Sequence, residues 1–194
     1  MRREALACQG EDPEDPLALE RAAVQRLLVG EGAEEADPAV RAAAHRVLLR
    51  LRAHAAAPAV ALSLEGRREP EGQRGDPHPL VRVQAAATLR ALAGEGAAPA
   101  LVVALADGNR DVRLAAAREL GRSGERSHAT TEALIGALLD RAPEVRHHAR
   151  RALRALHGVD LGLLPEAWEQ WERQRQESLR ASAPEPPAPA EGPR

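Results

Sequence analysis

A nine-residue pattern occurs four times in this chain and constrains the fold more than any other feature. A valine is followed at once by an arginine, then by an alanine four residues and a leucine eight residues after the valine. The copies begin at Val40, Val81, Val112 and Val145, which are 31 to 41 residues apart. A period of this length is typical of stacked supersecondary units rather than of a single globule. The sequence therefore predicts a repeat protein.

Each copy of the pattern has the spacing of a helix. Its valine, alanine and leucine share one helical face, and the small alanine allows a neighbouring helix to approach closely. Apolar segments that favour another helix precede three of the copies and begin at Pro58, Pro99 and Thr131, while residues 17–29 supply this helix in the first unit. We predict four two-helix units with approximate bounds 16–53, 57–94, 97–124 and 128–158.

The remaining segments are polar or rich in proline. A polar stretch at 66–75, bounded by glycine, is predicted to be a surface insertion in the second unit. Residues 1–14 are predicted to be flexible, and the Pro/Ala/Glu-rich tail at 181–194 is predicted to be disordered because neither can bury a core. A further helix is predicted within 159–180.

This last helix carries both tryptophans of the chain. Gly158 suits the end of the preceding helix and Pro165 suits the first turn of the new one. Trp168 and Trp171 are three residues apart and share a face, so we predict that they cover the apolar end of the stack. The alternative is an exposed aromatic pair that binds a ligand or a partner.

The composition agrees with a thin helical protein and narrows its chemistry. The chain has 194 residues, two Trp and no Phe or Tyr, so its apolar residues are mainly Ala, Leu and Val. Lysine is absent, which excludes a Schiff-base lysine and the P-loop lysine. The single Cys8 cannot form an internal disulfide. No apolar run is long enough to span a bilayer, so we expect a cytoplasmic protein with no membrane partner.

An acidic residue lies six positions before the repeated arginine in three units. The resulting pairs are Asp76 with Arg82, Asp107 with Arg113, and Asp140 with Arg146. In the first unit the acidic residue at this distance from Arg41 is Glu35. When units stack, an arginine fork can bridge the carboxylates of its own turn and the adjacent turn.

Two helices per unit, with D-x-x-x-x-V-R-x-x-A-x-x-x-L across the turn and second helix, resemble HEAT repeats of the short bilin-lyase-like class. The resemblance covers residues 16–158, and the first unit departs from it in the spacing of its acidic residue. It implies an all-α, right-handed solenoid of about four two-helix repeats, to which the C-terminal capping helix is added. It also implies a ladder along the turns, with the three Asp–Arg pairs as rungs and Arg41 in the first unit.

The sequence predicts no catalytic, metal-binding or cofactor-binding residue, and hence no enzyme. The chain has seven His but no His-Glu dipeptide, so it cannot use the iron-binding scheme of HEAT-like hydroxylases. His147 and His148 are adjacent on a predicted helix and point about 100° apart, which does not suit a shared ion. Cys8 has no histidine fixed beside it.

Arginine is concentrated in the second helices, although the chain has a net charge of -2. Residues 39–52, 79–93, 109–122 and 143–156 contain 14 of the arginines but only three acids, Asp111, Glu119 and Glu144. In HEAT-like solenoids the second helix lines the concave surface, so the resemblance implies a basic groove. The candidate partner-binding residues are Arg46, Arg50, Arg90, Arg118, Arg122, Arg150, Arg151 and Arg154. The alternative is that these arginines favour the helix dipoles and solvate this face.

These features predict a non-catalytic, monomeric scaffold that binds a protein partner, with an acidic segment as the favoured ligand. One alternative is a bilin lyase-like or chaperone-like accessory protein, although the chain has few aromatic side chains to hold a tetrapyrrole. The other is a nucleic-acid-binding HEAT-like protein. The second helices offer no aromatic side chain for a base, which makes nucleic acid the less favoured partner.

Overall fold

The computed structural model describes residues 37–65 and 75–182, together with Val24, and this part of the chain contains helices and no strand. Val24 is helical and half-buried, whereas the rest of the first helix predicted over 17–29 lies outside the described residues. The α-helices of the described ranges are α1 (Pro38–Arg50), α2 (Ala57–Leu64), α3 (Pro79–Ala93), α4 (Ala98–Ala104), α5 (Arg110–Ser123), α6 (His128–Ala137), α7 (Pro143–His157) and α8 (Pro165–Ser182).

The helices form two rows. The second helices of the units, α1, α3, α5 and α7, pack side by side in chain order. The first helices α2, α4 and α6 form the other row, and each packs against the second helix of its own unit. Helix α8 packs on α6 and so extends the row of first helices. The predicted all-α solenoid is confirmed.

The ends of the helices follow from local sequence. Proline occupies the first helical position of α3 and α7, where its missing N–H is not needed. The side chain of Asn109 accepts hydrogen bonds from the backbone N–H groups of Asp111 and Val112, and so caps α5. Gly158 ends α7 with a φ of 77°, and α8 begins at Pro165, as predicted. Helix α8 is shorter at its start than the predicted 159–180 segment and ends at Ser182.

The repeated apolar pattern forms the core in all four copies, including Ala44 and Leu48 of the first, and only the first valine departs from it. Val81, Val112 and Val145 are fully buried, together with the alanines and leucines of their pattern. Val40 is instead 49% exposed, and Val47 on the same side of α1 is 38% exposed. No described second helix precedes α1 in the row, so this side of α1 lacks the neighbour that covers the other copies.

Glycine sets the closest contact in the row of second helices. A Cβ added at Gly121 of α5 would lie 2.7 Å from the Cα of Ala152 on α7. A larger residue would therefore push the two helices apart. The described helices include none with the length and apolarity that a membrane span requires.

Candidate interaction surfaces

The turns that precede the second helices carry a ladder of arginines and aspartates. Arg82 donates from Nε and Nη2 to the two carboxylate oxygens of Asp107 at 2.8 and 2.9 Å. Its Nη1 donates to the backbone carbonyl of Asp76, in its own turn, at 2.8 Å. Arg113 binds Asp140 in the same way at 2.6 and 3.0 Å, and donates to the carbonyl of Asp107. Each guanidinium therefore joins its own turn to the next one.

The side-chain pairing is displaced by one unit from the expected pairs Asp76/Arg82, Asp107/Arg113 and Asp140/Arg146. The first rung joins Arg41 to Asp76, with N–O distances of 2.6 and 2.9 Å. In Arg82 and Arg113, Nη1 donates to a backbone carbonyl of the arginine's own turn, so Nε and Nη2 point toward the following unit. Each aspartate also accepts a hydrogen bond from the backbone N–H two residues later, which fixes its turn.

The ladder ends at Arg146. Its Nη1 donates to the carbonyl of Asp140 at 2.8 Å, as in the other units. Among the described residues, no carboxylate accepts from its remaining donors. The completed rungs are almost fully buried, and the hydrogen bond from Arg113 holds the pKa of Asp140 below its usual value. Because a buried carboxylate needs a paired cation, these arginines hold the stack together.

The exposed side of the second helices carries a different set of arginines. Arg118 and Arg122 project from α5, and the exposed Arg151 projects from α7. Arg46 and Arg50 are exposed on α1. These positions lie six and ten residues after the repeat valine. We call Arg118, Arg122 and Arg151 the basic patch.

Helix α3 separates the basic patch from the arginines of α1. At the positions six and ten residues after its valine, α3 has Ala87 and Ala91 instead of arginine. Leu80, at the start of α3, is half exposed. The predicted basic groove is therefore interrupted on α3 by Leu80, Ala87 and Ala91, an apolar strip that also includes the uncharged Gln84.

A buried carboxylate lies beneath the basic patch. Glu119 of α5 is only 1% exposed and accepts from Nε of Arg90 on α3 at 2.8 Å. It also accepts from Arg118 at 2.9 Å and from Arg122 at 3.3 Å. Three guanidiniums thus share one carboxylate, which leaves the cluster with net positive charge. Arg90 acts here as a link between α3 and α5.

The positive charge of the basic patch affects the pKa of a neighbouring histidine. His148 of α7 is partly buried, and burial lowers its pKa. The positive charges of Arg151, Arg118 and Arg122 lower the pKa further. Arg151 of α7 and Arg118 and Arg122 of α5 therefore lie close enough to His148 to disfavour its charged form.

Arg150 and Arg154 lie on another side of α7 from the basic patch. Arg150 binds Asp160 in the following loop with two hydrogen bonds of 2.7 and 2.8 Å, and Arg154 approaches the same carboxylate at 4.0 Å. The residues equivalent to Arg150 in α3 and α5, Ala86 and Ala117, are buried against the next second helix. No described second helix follows α7, so Arg150 and Arg154 cover the end of the row.

The two tryptophans differ in their surroundings. Trp168 is fully buried in the core, and its Nε1 donates to the carbonyl of Gly162 at 3.0 Å. Trp171 is partly exposed and lies against His157, with 4.7 Å between ring centroids. The pair is therefore not an exposed aromatic surface, because most of the surface of each ring packs against other residues of the fold.

Glu172 fastens α8 to α6. It is buried and accepts hydrogen bonds from His128 of α6 at 2.8 Å and from Arg175 at 2.7 Å. Burial alone would raise its pKa, but the hydrogen bonds from Arg175, His128 and Gln176 outweigh burial and hold the pKa at about 2. Among the described residues, no three His, Cys, Asp or Glu side chains converge so that they could hold a metal ion.

Comparison with known families agrees with this architecture. Residues 71–154 match the family model for HEAT repeats, which covers the stretch from the second unit's turn to near the end of α7. The match supports a HEAT-repeat protein, and its matched region contains the basic patch and two of the three rungs. No curated protein matches the chain.

Proposed function

We propose that this protein is a non-catalytic, cytoplasmic scaffold that acts as a monomer and binds an acidic segment of a protein partner through the basic patch. HEAT repeats generally mediate protein–protein interaction. The observation that carries the proposal is the arrangement of the exposed Arg122 and Arg151 and the partly exposed Arg118 on two adjacent helices, beside a single buried carboxylate.

The chemistry of this patch suits carboxylates. Glu119 accepts from Nε of Arg118 and from Nη1 of Arg122, so other guanidinium donors of both residues remain available. Guanidinium groups bind carboxylates with strong, paired hydrogen bonds. The local field, rather than the small negative net charge, governs the encounter with an acidic ligand.

The apolar strip on α3 adds a feature to the proposed ligand. Leu80 is exposed on α3, the helix between α1 and the helices of the basic patch, and Ala87 and Ala91 lie about two and three turns further along it. A segment that crosses this surface would place an apolar residue on α3 and acidic residues on either side. The proposed partner therefore carries an acidic segment interrupted by an apolar residue.

The direct test is affinity capture with mass spectrometry, in which the wild type is compared with the double variant Arg118→Glu/Arg151→Glu. We expect the double variant to lose the partners that the wild type retains. The matched control is Arg126→Glu/Arg180→Glu, at two exposed positions outside the basic patch, which changes the net charge equally and should retain them. Equal capture by all three proteins would contradict the proposal.

A binding assay separates an acidic protein segment from nucleic acid, since both are polyanions. A fluorescein-labelled glutamate-rich peptide with a central leucine should bind the wild type and not the double variant. A duplex DNA of similar charge should bind more weakly, because three arginines on two helices offer few of the phosphate contacts that supply duplex affinity. Tighter binding of DNA, with a steep dependence on salt, would favour the nucleic-acid alternative.

The bilin-related alternative has no specific observation in its favour. The chain has no Phe or Tyr, and its two tryptophans are packed within the fold at the α6–α8 end. Absence of an absorbance change on incubation with a bilin would remove this option.

A further inference from the structure

A groove between α6 and α8 forms a second candidate surface, on the row of first helices. It encloses a cavity of about 370 Å³, a volume at the lower end of the usual range for ligand pockets. Its apolar wall is formed by Ile135, Gly136 and Leu139 of α6 together with Pro165 of α8. The volume suits one or two large side chains rather than a cofactor.

One of the two most exposed large apolar side chains of the described residues lines the groove, and the other precedes a lining residue in the chain. Leu139 is 74% exposed, and Leu164, which immediately precedes Pro165, is 68% exposed. Neighbouring exposed apolar side chains that are bordered by charged residues are typical of protein-binding surfaces. The packing of α8 therefore does not explain why these two leucines are exposed to solvent.

Gly136 is a second, independent feature of the groove. It lies four residues before Asp140, where the third unit has Val103 four residues before Asp107. The second unit has Leu62 at this position, counted from Pro58 as Val103 is from Pro99. A Cβ added at Gly136 would meet no described atom within 4 Å, so close packing does not require glycine.

Glycine also disfavours a helix relative to other residues, and the backbone of Gly136 is helical without a positive φ. The main consequence of glycine at this position is an empty space that a valine or leucine side chain would otherwise fill. The fourth unit therefore lacks a large side chain at position 136, where α8 completes the groove.

The charges around this space are mainly negative. Glu132 of α6 and Glu169 of α8 are exposed at the groove, whereas Glu172 at its base is paired with Arg175. The single guanidinium that lines it is Arg173. His128 contacts Glu132 at 3.1 Å and Glu172 at 2.8 Å, and so joins the two helices along one side.

We infer that this groove binds a cationic amphipathic segment of a protein partner. An apolar side chain of that segment lies against Ile135, Gly136 and Leu139, and its flanking Arg or Lys residues face Glu132 and Glu169. The charge of this ligand is opposite to that of the acidic segment proposed for the basic patch. A scaffold with both surfaces can hold two different partners at once.

The test uses a short fluorescein-labelled peptide of arginine and leucine, and fluorescence anisotropy with the full chain. Two reference peptides replace leucine by serine, or arginine by glutamate. We expect the Arg/Leu peptide to bind at least about tenfold more tightly than either reference, because it alone satisfies both the apolar wall and the carboxylates. Equal affinities, or tighter binding of the glutamate peptide, would overturn the inference.

The decisive variant is Gly136→Val, which restores the residue type of the third unit. It should weaken the Arg/Leu peptide about tenfold or more while the melting temperature is unchanged or raised. Glu132→Gln/Glu169→Gln should weaken it most at low salt. Val103→Ser, which removes an exposed apolar side chain elsewhere in the same row, is the matched control and should bind as the wild type does.

Self-association is a separate outcome that this experiment detects. Sedimentation of the unlabelled chain should show no dimer that depends on Leu139. A concentration-dependent dimer that is lost in Leu139→Ser would replace the proposed partner by a second copy of the chain. A stable Gly136→Val variant with wild-type affinity would also contradict the inference. Neither result bears on the basic patch, which is tested with acidic ligands.

Discussion

Arg113 and Arg118 lie five residues apart on the same helix, yet their surroundings differ. Arg113 is buried, binds both oxygens of Asp140 and also donates to the carbonyls of its own turn. Arg118 is partly exposed and makes one hydrogen bond, to Glu119. The guanidinium of Arg113 is thus fixed inside the fold, whereas that of Arg118 retains donors that face solvent.

The two positions also differ between the units. Every unit has arginine where α5 has Arg113, and in three of the four units this arginine joins its turn to the next. The position of Arg118 is arginine in three units and Ala87 in α3. A buried position that repeats has a structural role, and an exposed position that varies can provide specificity. Substitutions at the two kinds of position should therefore affect stability and binding separately.

The largest expected effect is the loss of a central rung. Arg82→Ala leaves the buried Asp107 without its cation and should lower the free energy of unfolding by about 3–5 kcal/mol. Arg118→Ala, on the exposed side, should change it by no more than about 0.5 kcal/mol. Urea unfolding followed by circular dichroism measures both, and similar losses in the two variants would remove the distinction.

The same contrast between adjacent positions occurs in α1, where His45 is buried and Arg46 is exposed. Burial lowers the pKa of His45 to about 4, although the carboxylate of Asp76 opposes this shift. Between pH 6.5 and about 4 the unfolded chain therefore takes up a proton that the folded chain does not. The free energy of unfolding should fall by up to about 3 kcal/mol over this range.

Thermal unfolding as a function of pH tests this loss. His45→Leu removes the titrating group and should flatten the profile, while Arg46→Ala should leave its slope unchanged. The pKa values of His148 and His157 are also lowered by burial, so a smaller slope of the same sign should persist. A profile that is identical with and without His45 would show that this residue does not set the acid limit.

Glu119→Gln should change stability and binding in opposite directions. It removes the carboxylate shared by Arg90, Arg118 and Arg122, and should cost about 1.5–3 kcal/mol because hydrogen bonds to a charged group are lost. The same change raises the positive charge of the basic patch, so a glutamate-rich peptide should bind more tightly. Weaker binding in a folded variant would indicate that Glu119 positions the arginines more than it neutralises them.

Among the rung positions, the smallest effect on stability is expected at Arg146, which has no carboxylate partner among the described residues. Arg146→Ala should cost about 0–1 kcal/mol, compared with several kcal/mol for Arg113→Ala. This pair tests whether the repeated position or the paired carboxylate supplies the stability. Equal losses would show that the hydrogen bonds to the turn carbonyls dominate.

Much of the fold could be predicted because its signals are local. The spacing of valine, alanine and leucine predicted α3, α5 and α7, and Gly158 and Pro165 predicted where one helix ends and another begins. These signals depend on residues within one or two helical turns. The insertion at 66–75 lies almost entirely outside the described residues, and so do the predicted N-terminal segment at 1–14 and nearly all of the predicted tail at 181–194.

The candidate site was predicted less completely, because its contacts join different units. Arg90 and Glu119 are 29 residues apart in sequence and meet only when α3 packs against α5. Arg150 and Arg151 are adjacent arginines of the same second helix, but Arg150 lies at the end of the row and binds Asp160. A count of arginines in the second helices cannot separate these two positions.

The sequence alone determined that this chain is a helical repeat, because a pattern of period near 3.6 recurs in successive units and each copy can bury its apolar face only against another. The tertiary structure alone decided which carboxylate each arginine binds and which arginines remain at the surface. It also decided that the glycine at 136 opens a groove beside α8. These outcomes depend on distances between residues far apart in sequence, which the stacking of successive units and the packing of α8 on α6 set.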